Sequence, residues 1–257
     1  MEILIENKNQ ICKLTLNRPE VFNSFNRNMA LSLQKALIDA SNDENIRVIT
    51  IEGNGKAFCA GQDLSEATDE SGPSLLEIVK KHYNPIIQLI RTIEKPIIAL
   101  VNGVAAGAGA NIALACDVTI AKKSASFIQA FSKIGLIPDS GGTYFLPRLI
   151  GLQKAMALML TGDKIMADEA EKLNMIYKSI DDEVFDEFVS KFILSIAKMP
   201  TKGLGLTKRA LNESFNNNLT EQLKLEEELQ TQAGKTEDFK EGVNAFLEKR
   251  KANFIGK

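Results

Sequence analysis

Two runs of small residues and one acidic turn hold the groups of this 257-residue chain best suited to chemistry. The first run is Lys56-Ala57-Phe58-Cys59-Ala60-Gly61-Gln62-Asp63-Leu64, and the second is Asn102-Gly103-Val104-Ala105-Ala106-Gly107-Ala108-Gly109-Ala110-Asn111. Each reads as a strand ending in residues without bulky side chains, so a ligand can lie directly against backbone N–H groups. Two such groups aimed at one oxygen stabilise the charge of an enolate, and losing one donor typically costs about 3 kcal/mol. Ala60 and Ala108 are the candidate donors, and Ala108 stands where a strand turns into a helix, so the helix dipole adds to its N–H. Close strand-to-helix packing is the competing reading of both runs, since Gly and Ala serve it equally well.

The turn Ile137-Pro138-Asp139-Ser140-Gly141-Gly142 supplies a carboxylate at a helix start. Asp139 is either an ordinary N-cap or, with burial raising its pKa, a base that takes and returns a proton. His82, the sole histidine, lies in a polar helical stretch and reads as a surface residue, which weakens a Ser-His-Asp hydrolase. A dinucleotide fingerprint fails, because the third glycine position after Gly107 and Gly109 holds Ile112.

The elements that must position these groups alternate over the first two thirds of the chain. Strands are expected at Ile3 to Glu6, Ile11 to Leu16, Val48 to Glu52, Ile97 to Val101 and Val118 to Ala121. Helices are expected at Arg27 to Ala40, Leu75 to Ile93 and Gly109 to Cys116, giving an α/β core. From Gly151 the pattern is helical: Gln153 to Leu160, Ala167 to Leu173, Val184 to Ala197, Lys202 to Glu213, Leu219 to Ala233 and Thr236 to Arg250. One short strand around Met175 to Ile180 interrupts it, and the polar stretch Glu66 to Ser74 reads as a mobile loop beside the first donor, suited to a lid.

Composition narrows the partners. With 31 Lys plus Arg against 33 Asp plus Glu, the net charge of −2 offers no basic field for nucleic acid. Cys12, Cys59 and Cys116 are widely spaced and form no CxxC pair, so neither a disulfide frame nor a metal site is expected, and a cytoplasmic setting is. Met1 to Glu6 alternates like a strand and lacks the features of a signal peptide. The apolar stretch Ile97 to Ala121 contains a GxxxG pattern, but Asn102, Asn111 and Asp117 interrupt it, so no membrane span is expected.

Taken together, Leu16-Asn17-Arg18-Pro19, the Gly53 to Leu64 block, Asn102-Gly103 with its glycine run, Ala115-Cys116-Asp117 and Gly141-Gly142-Thr143 resemble the crotonase superfamily, the enoyl-CoA hydratase/isomerase family, in order and spacing over essentially the whole chain. The resemblance implies a repeated ββα spiral core, residues 1–195, with a helical C-terminal segment, residues 196–257, and a homotrimer or homohexamer. It implies an acyl-CoA thioester as substrate, its oxygen held by Ala60 and Ala108 and its coenzyme A moiety lying along Ala60, Gly61, Gln62, Asp63 and Leu64, with Gly107 and Phe131 also at the substrate. No separate cofactor is implied, because coenzyme A belongs to the substrate.

The departures from the family pattern are informative. Hydratases of this family place two glutamates around a water, whereas this chain has Asn111 and Phe131 at those positions. Hydration needs a base for water and an acid for the α-carbon, while moving a double bond needs one group that shuttles one proton. The resemblance therefore favours an isomerase in which Asp139 shifts a double bond or opens a ring epoxide to an oxepin, as in members serving phenylacetate breakdown. An enoyl-CoA hydratase and a non-catalytic acyl-CoA-binding protein are the alternatives. Phe22, Phe127, Phe131, Ile134 and Leu136 are candidates to line the acyl pocket, and Lys249, Arg250 and Lys251 to meet phosphates.

Overall fold

The computed structural model describes residues 1–69 and 71–257. Strands β1 (Ile3–Lys8) and β2 (Ile11–Leu16) lead into helix α1 (Arg27–Asn42), then β3 (Val48–Gly53) and β4 (Ala57–Cys59). Short helices α2 (Leu64–Ala67) and α3 (Leu75–Glu77) follow, and α3 runs through a π-helical turn, Ile78–Tyr83, into α4 (Asn84–Thr92). Next come β5 (Ile97–Val101), β6 (Val104–Ala106), α5 (Ala108–Ala115), β7 (Val118–Lys122) and β8 (Ser126–Ile128). A 3-10 turn at Ala130–Ile134 precedes α6 (Gly142–Ile150), α7 (Leu152–Thr161), β9 (Lys164–Met166), α8 (Ala167–Lys172) and β10 (Lys178–Ile180). Four helices end the chain: α9 (Phe185–Ala197), α10 (Thr201–Glu213), α11 (Leu219–Ala233) and α12 (Glu237–Leu247).

From β3 to β8 successive strands alternate between two sheets. One has the order β1-β2-β3-β5-β7-β10 and the other β4-β6-β8-β9. The pairs β3/β4, β5/β6 and β7/β8 each place one strand in each sheet before the chain turns helical, which is the expected ββα spiral of the crotonase fold. β2, β3, β5, β7 and β10 pair in parallel, as do β4, β6 and β8, while β1 and β9 run antiparallel to their neighbours.

The large sheet is covered on both faces, and its sequence shows why. Along β5, Ile97, Ala99 and Val101 enter the core shared with α1, α4 and α5, whereas Ile98 and Leu100 enter a second core against Phe185, Val189 and Ile193 of α9. Strand side chains alternate between faces, so an uninterrupted apolar run fills two cores at once. A buried polar tie fixes α10 to this body: the Lys208 ammonium lies 2.8 Å from Asp117 and donates to the Ile90 carbonyl at 2.6 Å. Burial pushes the Asp117 carboxyl up and the Lys208 amine down, each partly offset by the other.

Several expectations need correction. The three-residue strands β8 and β9 were not expected, and the single helix from Leu75 to Ile93 is broken by the π turn. The strand around Met175 to Ile180 shortens to β10, while Met175 and Ile176 join the core. His82 is 4% exposed and so is no surface residue; burial lowers its pKa. All three cysteines are buried and unpaired, and desolvation pushes the thiol of Cys12 up to about 11 and those of Cys59 and Cys116 to about 12. Within the expected Glu66 to Ser74 lid, Glu70 lies outside the described residues. Among the described residues no helix is long and apolar enough to cross a membrane.

Candidate active site

The first donor segment leaves β4 and is strapped to the chain around Phe22 to Phe25. Ala60 N–H donates to the Phe22 carbonyl at 3.0 Å, so it is not free to hold a ligand oxygen, contrary to the expectation for this residue. Phe25 makes a parallel bridge to Gln62: Phe25 N–H donates to the Gly61 carbonyl at 2.7 Å, and Asp63 N–H donates to the Phe25 carbonyl at 2.8 Å. In such a bridge the middle residue's own N–H points away from its partner strand. Gln62 N–H accordingly has no acceptor among the described residues, and it is the available donor of this segment. Sequence could not reveal this, because the choice depends on pairing with a segment almost forty positions earlier.

The second candidate segment ends at the start of a helix. Ala108 is the first residue of α5, after Gly107 at φ 53, and its N–H has no acceptor among the described residues. Both donors converge, since a Cβ placed on Gly61 would lie 3.5 Å from Ala108 N. Gly109 permits the approach, because a Cβ there would sit 2.4 Å from the Cys59 carbonyl oxygen at the end of β4. Phe131 packs beside Gly107, its ring 3.9 Å from where a Cβ on that glycine would be.

Asp139 reaches the same corner through α5. Asn111, one turn into that helix and wholly buried, donates from Nδ2 to the Asp139 carbonyl at 2.9 Å and accepts from Gln129 Nε2 at 2.8 Å. A Cβ on Gly142 would meet Asn111 Nδ2 at 2.3 Å, so only glycine lets the Asp139 turn sit against this amide. Ser140, at φ 51, and Gly141, at φ 73, follow in left-handed backbone, a strained conformation for serine. Asp139 is not the N-cap of α6; that place belongs to Gly141, and the Asp139 carboxylate instead accepts from its neighbour Ser140 Oγ at 2.9 Å. Burial raises its pKa above the ordinary carboxylate range, partly offset by this hydroxyl.

The remaining candidates separate. Gly61 is buried, Gln62 and Asp63 are half-buried, and Ala60 and Leu64 are exposed at the mouth of the corner. Arg18 holds Asp63 at 2.9 Å and donates to the Ser24 carbonyl at 2.6 Å, giving the Asn17-Arg18-Pro19 motif a structural task. Phe127 is fully buried core, whereas Phe22 and Ile134 are more than half exposed. Arg250 is engaged by Glu241 and Glu248. Two residues overlooked in the sequence stand close to the donors: Tyr83, whose hydroxyl donates to Gln62 Oε1 at 2.9 Å, and Gln129 behind Asn111.

The arrangement can hold one oxyanion and move one proton beside it. Known proteins resemble it throughout: the family model for enoyl-CoA hydratase/isomerase matches residues 6–257. The 1,2-epoxyphenylacetyl-CoA isomerase of Escherichia coli K12 is 46% identical across 96% of this chain and 95% of its own length. The crotonyl-CoA hydratase of Syntrophomonas wolfei is 35% identical across 99% of this chain and 98% of its own. The crystal structure of an enoyl-CoA hydratase from Bacillus anthracis superposes with a TM-score of 0.92 at 32% identity, covering 100% of both chains. This chain is an enzyme of the enoyl-CoA hydratase/isomerase family, a member of the crotonase superfamily.

Proposed function

We propose that the chain is a coenzyme A thioester isomerase. The thioester oxygen accepts from Gln62 N–H and Ala108 N–H, and the coenzyme A moiety runs along Ala60 to Leu64. The Asp139 carboxylate takes a carbon-bound proton, the electron pair passes into the enolate, and the resulting carboxylic acid returns the proton elsewhere along the conjugated system. With a ring epoxide as substrate, the same charge movement opens the three-membered ring toward an oxepin. The similarity to the E. coli 1,2-epoxyphenylacetyl-CoA isomerase supports that substrate class. A cytoplasmic homotrimer or homohexamer is the proposed working form.

One observation carries the preference for isomerisation over hydration. Asn111 cannot act as a base, and both ends of its amide are already committed, to the Asp139 carbonyl and to Gln129. Phe131 brings an apolar ring where a second carboxylate would be needed. Asp139 is thus the carboxyl group that this reading assigns to the reacting carbons. The test is an Asp139→Asn variant assayed for double-bond migration and acyl-CoA binding: migration is lost while binding persists. Conversion of crotonyl-CoA to 3-hydroxybutyryl-CoA by the wild-type enzyme, at ordinary turnover rates, would instead establish hydration.

A further inference from the structure

Tyr83 has no place in the scheme above, yet the fold goes to some length to present it. The residue ends the π-helical turn Ile78–Tyr83, in which Asn84 N–H donates to the Val79 carbonyl, five residues back. Such turns insert one residue into a helix and cluster at functional positions. The local sequence explains this one. Pro85 has no N–H to give to the Lys81 carbonyl, and the carbonyls of Lys81 and His82 accept instead from Gln34 Nε2 of α1 at 2.8 and 2.9 Å.

The turn aims the Tyr83 ring inward, where it is 0% exposed and packs edge-on against Phe25 with centroids 5.8 Å apart. Its hydroxyl donates to Gln62 Oε1 at 2.9 Å, and Gln62 Nε2 donates in turn to Glu66 Oε2 at 3.2 Å. Glu66 is itself anchored, accepting from Arg27 N–H at the start of α1 at 3.0 Å. Both ends of the Gln62 amide are therefore fixed, the oxygen by a phenol and the nitrogen by a carboxylate. Phe25, the ring partner of Tyr83, is also the bridge partner of Gln62. Burial, then nearby Cys59, Asp139 and Glu66, keeps the phenol proton on its oxygen, so Tyr83 remains a donor at every working pH.

We propose that Tyr83 is a positioning residue for the thioester oxygen: through the Gln62 side chain it fixes the direction of the Gln62 backbone N–H. The inference rests on the donor assignment made under the proposed function. A donor that is already oriented stabilises transition-state charge without reorganising, so a loosened Gln62 lowers turnover more than it weakens ground-state binding.

Tyr83→Phe keeps the ring and removes the hydroxyl, while Gln62→Met removes the acceptor and keeps the backbone N–H. Each is expected to lower kcat for isomerisation about tenfold with KM changed less than about twofold, and the double variant is expected to fall no further than either single one. Unchanged kcat in Tyr83→Phe, or losses that multiply in the double variant, would overturn the proposal. A second readout does not depend on turnover. Bound to Asp139→Asn, the chromophoric thioester 3-phenylpropenoyl-CoA should show an absorbance red shift from polarisation of its carbonyl. Adding Tyr83→Phe to that variant should diminish the shift; an undiminished shift refutes the role of Tyr83. Absence of any shift in Asp139→Asn, or full turnover by it, points instead to failure of the site assignment beneath.

Discussion

The segment from Ala60 to Leu64 is tied down from several directions, by Phe22 and Phe25 through backbone bonds, by Arg18 through Asp63, and by Tyr83 and Glu66 through Gln62. The Asp139 turn is held differently. Asn111 grips the backbone of Asp139, and the carboxylate is met by Ser140 Oγ and by its own backbone N–H, with no cation paired to it among the described residues. The contrast fits the roles proposed for the two sides. A donor to an oxyanion gains by being immobile, whereas a proton carrier gains by having few partners that favour its charged form.

Removing the proposed carrier itself should produce the largest effect. Asp139→Asn is expected to lower kcat about a thousandfold, in the range typical of general acid–base catalysis, with acyl-CoA affinity retained. Single-turnover kinetics beside equilibrium titration measure both. Next comes its backbone anchor: Asn111→Ala leaves the Asp139 carbonyl and the Gln129 amide without partners, and should cost about 2 kcal/mol in urea unfolding while also lowering kcat. On the opposing side, Arg18→Met removes a pair whose side chains are 15% and 14% exposed, and should cost about 1 kcal/mol. A greater loss from Arg18→Met than from Asn111→Ala would invert the comparison.

The smallest expected effects concern pH. Because burial raises the pKa of Asp139, the acid limb of kcat/KM should fall above the pH of an ordinary aspartate. For stability the sign is opposite to that of a paired carboxylate. A raised carboxyl contributes stability that is complete below its unfolded pKa and is lost as pH rises through its folded pKa. Asp139→Asn should therefore melt slightly higher than wild type at neutral pH, with the gain vanishing in acid. Calorimetry at several pH values tests this, and a variant less stable than wild type at neutral pH would mean that the carboxylate is stabilised by partners after all.

The sequence made the long strands of the large sheet legible because they carry runs of apolar or β-branched residues, as in Val48 to Ile51 and Ile97 to Val101. The second sheet was largely hidden, since β8 and β9 are three residues long and owe their form to neighbours rather than to pattern. The site divided in the same way. The free amide of Ala108 is legible because a strand-to-helix glycine turn exposes its own first N–H, a local matter. Ala60 misled because the free amide lies two positions on, at Gln62, and its freedom is set by the distant Phe22 to Phe25 segment. His82 and Tyr83 were misjudged or overlooked because a polar-looking stretch, Lys80-Lys81-His82, turns its flank inward only after the π turn shifts the helical phase.

The three buried thiols make the chain a quiet background for chemical labelling. Maleimides and mild oxidants attack the thiolate, a form that groups held near 11 or 12 scarcely populate at neutral pH. A single cysteine introduced at exposed Lys154 would thus take up a fluorophore ahead of Cys12, Cys59 and Cys116, marking one chosen place without first stripping the native sulfurs.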